Sequence, residues 1–272
     1  MTTKENTLTR VALGIEYHGS GYNGWQAQNH ESITVQCELE SALSKIADAP
    51  VRVFCAGRTD AGVHATGQVV HFDVLKPRTE NAWVRGTNTH LPDSIRVRWA
   101  KFVPEDFHAR FSAMARRYIY VIENTPVHSA IMNKHFSFED RPLDVERMQL
   151  AANYLVGEHD FSSYRTVRCQ AKSAIKTVHH LKVERHGSLI AIDIYANAFL
   201  HHMVRNIMGC LLEIGQGMYE IDHIDTMFAA EDRTAAGITA PPDGLYFIQS
   251  YYPDEFDLPQ LPLGPQWLNL PE

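Results

Sequence analysis

Apolar side chains fall at Val11, Leu13, Ile15 and Tyr17, and the positions between them are small or polar. That period of two predicts a strand with one face turned to a core. From Val35 the spacing changes: Val35, Leu39, Leu43 and Ile46 make one face of a helix, for which Ser32 or Thr34 offers the cap. Alternation returns twice, over Val51-Arg52-Val53-Phe54-Cys55 and over Gln68-Val69-Val70-His71-Phe72. A helix is expected near Glu80 to Thr89, stopped by Leu91-Pro92, and a strand from Ile95 to Val103. The resulting order, β-α-β-β-α-β, is that of a ferredoxin-like unit.

The second part of the chain repeats the order. A strand is expected from Arg116 to Glu123, with Tyr118 and Tyr120 on one face and Arg117, Ile119 and Val121 on the other. Asp144 can cap a helix carrying Val145, Met148, Ala152 and Leu155, closed by Gly157. Strands from Val178 to Arg185 and from Leu189 to Tyr195 flank His186-Gly187-Ser188 as a hairpin. A helix from Leu200 to Ile214 ends at Gly215, and a last strand runs from Gly244 to Tyr251. The segment from Ser162 to Ser173 has no clear period and reads as a long loop, a kind of segment that is usually functional or disordered. The fold class expected is α/β (α+β), as two ferredoxin-like halves with a joined, mainly antiparallel sheet and a cleft between them. The halves would span residues 1–106 and 107–250, with an acidic, Pro-rich tail over 251–272.

Between the two central strands lies Ala56-Gly57-Arg58-Thr59-Asp60-Ala61-Gly62-Val63-His64-Ala65-Thr66-Gly67. It places one guanidinium and one carboxylate two residues apart on a loop fixed by strands, the kind of place where chemistry tends to sit. On this stretch alone the commoner reading of Asp60 is turn chemistry, an Asx side chain bonding its own backbone. A second glycine-rich stretch, Gly19-Ser20-Gly21-Tyr22-Asn23-Gly24, matches a dinucleotide fingerprint in letters only. Helical patterning starts near Thr34 rather than at the glycines, so no helix N-terminus would face a pyrophosphate.

The 272 residues are 44% hydrophobic and 21% charged, a globular composition with no apolar run of membrane-spanning length. Met1-Thr2-Thr3-Lys4-Glu5-Asn6 lacks the apolar core of a signal peptide. Cys37, Cys55, Cys169 and Cys210 have no paired spacing and read as free thiols of a reducing cytoplasm. The formal charge of −7 argues against a nucleic-acid partner, but its distribution changes that picture. Phe161 to Val183 holds Arg165, Arg168, Lys172, Lys176 and Lys182 with no acid, and Phe107 to Ile122 holds Arg110, Arg116 and Arg117 with none. The tail from Tyr251 has four acids and no Lys or Arg. A basic run is also what a solvated face looks like.

Five segments carry a resemblance. They are Gly57-Arg58-Thr59-Asp60-Ala61-Gly62-Val63-His64-Ala65, then Phe107-His108-Ala109-Arg110-Phe111-Ser112-Ala113 leading to Arg117-Tyr118-Ile119-Tyr120, then Gly157-Glu158-His159-Asp160-Phe161, Phe199-Leu200-His201-His202-Met203-Val204-Arg205-Asn206 and Gly244-Leu245-Tyr246. In this order, over nearly the whole chain, they resemble the tRNA pseudouridine synthase A family, bacterial members in particular. Ser94 and Pro242 depart from the pattern, away from the chemistry. The resemblance implies an enzyme that isomerises uridines on the 3′ side of the tRNA anticodon stem-loop, nominal positions 38 to 40, to pseudouridine. It implies no cofactor, no essential metal, and a homodimer that places one tRNA across both subunits.

The resemblance also assigns roles. Asp60 is the catalytic carboxylate. Tyr118, Arg205 and Leu245 bind the substrate nucleoside, Arg205 pairing with the carboxylate and Tyr118 packing on the uracil. Arg58, Arg78, Phe107, His108, Arg110, Phe111, Arg168 and Lys172 hold the tRNA and the flipped nucleotide. A uridine inside a stem must leave the stack to be reached, and phosphate contacts position RNA without reading its sequence. His201-His202 invites a metal, but adjacent helical residues point about 100° apart and make poor joint ligands. His64, four residues after Asp60, suggests a hydrolytic pair and is taken as structural. Two other classes remain open on the residues alone: a tRNA-binding dimer without catalysis, and a small-molecule hydrolase built on Asp60 and His64.

Overall fold

A computed structural model describes residues 8–26, 32–166, 169, 171–233 and 237–268. The chain forms two units, Met1–Met114 with Phe247–Glu272 and Ala115–Tyr246. The sequence reading divided the chain after residue 106 and set 251–272 apart; the structure assigns 107–114 and the tail to the first unit.

In the first unit β1 (Thr9–Tyr17) leads, through a short 3-10 turn at Gly19–Gly21, to α1 (Val35–Ala47), β2 (Phe54–Cys55), β3 (His64–Val74), a helical segment over 80–88 and β4 (Ile95–Val103). The expected order is therefore present. β4, β1 and β3 are neighbours in that sequence, all antiparallel, with β2 on β3. Thr34 is the cap, its hydroxyl accepting from the Cys37 amide. Val35, Leu39 and Leu43 are buried, as their spacing predicts. The segment over 80–88 contains a π turn at Ala82–Gly86, and Trp83 is buried edge-on against Phe72 at 5.1 Å.

Two strands differ from expectation. Val51 to Val53 alternate in burial but do not join the sheet, because α1 takes their backbone groups. Glu40 accepts from the Val53 amide at 3.0 Å, and Ser44 Oγ from the Val51 amide at 2.9 Å. β3 starts four residues before Gln68, since pairing with β1 continues to Tyr17 opposite Ala65. Along that ladder Val11 faces Phe72, Leu13 faces Val70 and Ile15 faces Gln68. One polar side chain thus stands in a buried apolar row.

The remaining strand, β10 (Leu245–Tyr251), pairs with β3 through its later residues. Gly67 permits this approach: a Cβ there would lie 2.0 Å from the Ile248 carbonyl. The opposite face of the sheet is covered by the residues after β4 and by the tail. Phe107, Tyr252 and Phe256 share aromatic contacts at 5.1–5.2 Å, and Lys101 Nζ meets Asp257 at 2.6 Å.

The second unit contains β5 (Ala115–Asn124), β6 (Ser137–Glu139), α2 (Val145–Tyr154), β7 (Gly157–Asp160), β8 (Ile175–His186), β9 (Leu189–Ala196), α3 (Met203–Gly215) and α4 (His223–Ala230). Its strands run β5-β9-β8-β7, antiparallel, with β6 parallel on β5. Asp144 caps α2 through the Arg147 amide at 3.0 Å. α3 is buried nearly all round: of Met203–Gly215 only Arg205 is half-exposed. β6, β7 and α4 lack a sequence signal of their own: two are short, and the eight residues of α4 make little more than two turns.

Candidate active site

The loop between β2 and β3 is built from both sides. Gly62 at φ +83° and a bond from the Val63 amide to the Asp60 carbonyl at 3.2 Å close the turn after Asp60. Before it, the Thr59 carbonyl accepts from the Trp25 amide at 3.0 Å. Gly24, at φ +88°, lies so close that a Cβ would be 2.9 Å from that carbonyl. A Cβ on Gly19 would lie 2.0 Å from the Val63 carbonyl oxygen, closer still. Gly19 and Gly24 therefore serve close packing against this loop, not a phosphate, and among the described residues no α-helix begins before Val35.

On this frame Arg58 is exposed, Thr59 buried and Asp60 half-buried. His64 is buried, its Nδ1 accepting from the Gly19 amide at 3.0 Å and its ring 4.4 Å from that of His18. Its ring is thus engaged in holding the loop.

A second cluster surrounds the turn after β4. His108 Nδ1 accepts from the Arg110 and Phe111 amides at 3.1 and 3.3 Å, and its ring stands 4.3 Å from Phe111. Phe111 is 76% exposed, with the Arg110 guanidinium 5.6 Å from its ring centre. An exposed aromatic beside a cation is a surface on which a base can stack. Phe107 is different: it is fully buried, so its ring supports the turn and is not offered to a ligand. His71, on β3, lies behind His108 at 4.5 Å and stacks on Phe54, itself half-exposed. Burial, then the positive charges of His108 and Arg10, lower the His71 pKa to about 4, against a smaller opposing pull from Asp73. Burial lowers that of His108 as well.

Arg78 is exposed and donates from Nε to the Ile46 carbonyl at 3.1 Å. That is near the C-terminal end of α1, and at the other end the Gln36 amide donates to the Trp25 carbonyl. The helix rise separates Gln36 from Ile46 by roughly 15 Å. Arg78 is therefore held well away from the Asp60 loop.

In the second unit Tyr118 is buried, its ring edge-on to Phe199 at 5.0 Å, and Leu245 is buried. Arg205 lies in the first turn of α3 and donates from Nε to the Ala240 carbonyl at 2.8 Å. His201 and His202 precede α3 rather than lying on it, and His202 has the left-handed φ of +63°. The argument from adjacent helical residues therefore does not apply to them; their rings are 4.3 Å apart. Lys172 is exposed, and Arg168 lies outside the described residues.

Sequence reasoning missed Tyr17, Gln68 and Phe54. A signal existed for Gln68, a polar residue on the face of β3 that also carries Val70 and Phe72, and for Tyr17 at the end of the β1 apolar row.

The profile of a family described as tRNA pseudouridine synthase matches residues 14–112 and 151–253. By class, this is a pseudouridine synthase, an isomerase acting on RNA. A tRNA pseudouridine synthase A of Acinetobacter baumannii (strain AYE) is 57% identical over 265 residues, 97% of this chain and 100% of that protein. One of Pseudoalteromonas atlantica is 56% identical over 259 residues, 95% of this chain and 98% of that protein. A solved Cbf5-Nop10-Gar1 complex aligns at 11% identity and TM-score 0.34 over 87% of this chain and 57% of that one, too slight a likeness to argue from. The chain belongs to the tRNA pseudouridine synthase A family, and forms pseudouridine in tRNA.

Proposed function

We propose that the substrate uridines lie on the 3′ side of the anticodon stem-loop, at nominal positions 38 to 40, and that the enzyme acts on them as a cytoplasmic homodimer without a cofactor. The observation that carries the catalytic reading is Asp60 itself, half-buried at the turn of a loop pinned at the Thr59 and Asp60 carbonyls. A carboxylate held in this way suits work at an electron-poor anomeric carbon.

The target uridine flips from the stem, at a cost of a few kcal/mol. The N1–C1′ bond breaks with its electron pair staying on N1. The uracil turns, C5 bonds to C1′, the C5 proton leaves and N1 takes one up. Asp60 acts at the sugar. Tyr118, Arg205 and Leu245 hold the nucleoside, and Arg58 holds the flipped nucleotide. Arg78, Arg110, Arg168 and Lys172 take backbone phosphates, while His108 and Phe111 present stacking surface over the buried Phe107.

Tritium release from tRNA labelled at uridine C5 tests the reading, because the new C–C bond expels that hydrogen. The parent protein is expected to release it, and Asp60→Asn to bind tRNA with unchanged affinity and release none. Turnover by Asp60→Asn would remove Asp60 from the chemistry.

A further inference from the structure

We infer that Gln68 and Tyr17 are positioning residues for the catalytic loop, aiming Arg58 and Asp60 outward by anchoring the residues that alternate with them. The inference rests on the catalytic reading of Asp60. Along Gly57-Arg58-Thr59-Asp60 the chain has no regular structure to fix its side chains. A buried chain of side-chain hydrogen bonds does so instead. Gln68 Nε2 donates to the Gly57 carbonyl at 2.7 Å, and Gln68 Oε1 accepts from the Gly57 amide at 3.4 Å. One primary amide thus binds both backbone groups of one residue, as a paired strand would. The same Nε2 reaches the Tyr17 hydroxyl at 3.5 Å, and that hydroxyl meets Thr59 Oγ1 at 2.8 Å. Gly57 and Thr59 are therefore held inward, and Arg58 and Asp60 are left on the outer side.

All three members are buried: Gln68 is 0%, Tyr17 3% and Thr59 8% exposed. A buried amide among Val70, Phe72 and Ile15 is costly unless satisfied, and here every bond it makes is to the loop or to the residue holding the loop. Burial raises the Tyr17 phenol well above its ordinary value, so it stays a neutral hydroxyl throughout the working range. The Tyr17 hydroxyl accepts from Gln68 and shares one further hydrogen bond with the Thr59 hydroxyl, in which either can donate, so the chain of bonds runs unbroken from sheet to loop. Misplacement of a reacting group by about 1 Å costs on the order of a hundredfold in rate, and a loop secured this way would avoid that loss.

The test is single-turnover tritium release at saturating tRNA for Tyr17→Phe, Thr59→Val, their double mutant, Thr59→Ser and Gln68→Met, with tRNA affinity and melting temperature measured in parallel. The expected result is a rate lowered about tenfold in Tyr17→Phe and in Thr59→Val, with tRNA affinity unchanged. The double mutant should be no slower than the worse single one, because both remove the same link. Thr59→Ser, which keeps the hydroxyl, should recover most of the rate. Gln68→Met should be slowest; if it does not fold, the Tyr17–Thr59 cycle carries the test alone. Parent-like rates in Tyr17→Phe and Thr59→Val, or a Thr59→Ser as slow as Thr59→Val, would overturn the inference. Asp60→Asn, run alongside, separates the two readings. If Asp60→Asn is inert while the others run at full rate, only the positioning claim fails; if Asp60→Asn turns over, the catalytic reading itself has failed.

Discussion

His71 shows how one buried side chain links folding to pH. Its ring is enclosed by Phe54, Phe107 and His108, and its Nδ1 accepts from the Ala109 amide at 3.1 Å. The folded-state pKa of about 4 lies below the ordinary value of 6.5, so below that value the unfolded chain takes up the proton more readily. The stabilisation is complete above about pH 6.5 and is lost as pH falls toward 4. His108 contributes in the same direction. Between pH 7 and pH 5 the protein should lose on the order of 1 kcal/mol through His71, read from urea midpoints, and His71→Gln should flatten that dependence. Equal slopes in the two proteins would place the acid sensitivity elsewhere. Nothing in the sequence marks His71 for this behaviour, because alternation along β3 says only that it points away from Val70 and Phe72.

Elements were legible where local signals agree. α1 begins at Thr34, one of the two caps its sequence offers, and α2 at Asp144, the cap its sequence names. The Asp144 amide also bonds the Gly215 carbonyl, tying the start of α2 to the end of α3. Asp144→Ala should cost about 1 kcal/mol and lower the melting temperature by about 2–4 °C, and Asp144→Ser should restore most of it. A melting curve unchanged by the alanine would show that the Gly215 contact alone holds the helix start. Elements were misread where another element claims their backbone. Val51 to Val53 have strand alternation, but side chains of α1 occupy the groups a neighbouring strand would need. Within the π turn over Ala82–Gly86, Trp83 packs on Phe72, and a Cβ on Gly86 would lie 3.0 Å from the Ile46 side chain.

For the whole molecule, charge along the chain overstated the surface available to RNA. Arg117 is committed to Asp193 by paired bonds at 2.9 and 3.1 Å, and Lys182 pairs with Glu184 at 2.7 Å. Lys176 donates to the Ser173 and Ile175 carbonyls, and burial lowers its pKa. Arg58, Arg110 and Lys172 remain exposed. Binding of tRNA should weaken steeply with salt, and each of Arg110→Ala and Lys172→Ala should reduce the log–log slope by just under one. Arg117→Ala, measured in the same titration, should leave the slope unaltered and instead lower stability, since it strands a buried carboxylate. A slope reduced by Arg117→Ala as much as by Lys172→Ala would contradict that division.

The sequence by itself determined the order of the longer elements, the capped starts of α1 and α2, and the loop that carries Asp60. Each of these depends on residues within a few positions of one another: periodicity, a cap, a run of turn-forming glycines. Which cations stay exposed, why Val51 to Val53 leave the sheet and what aims Asp60 were decided only by tertiary structure. Gln68 reaches Tyr17 across 51 residues of chain, and Tyr17 reaches Thr59 across 42. A pattern of burial reports that a side chain faces inward, but the partner that satisfies it comes from strand register. That register is fixed only when Ile15 lies opposite Gln68 in the folded sheet.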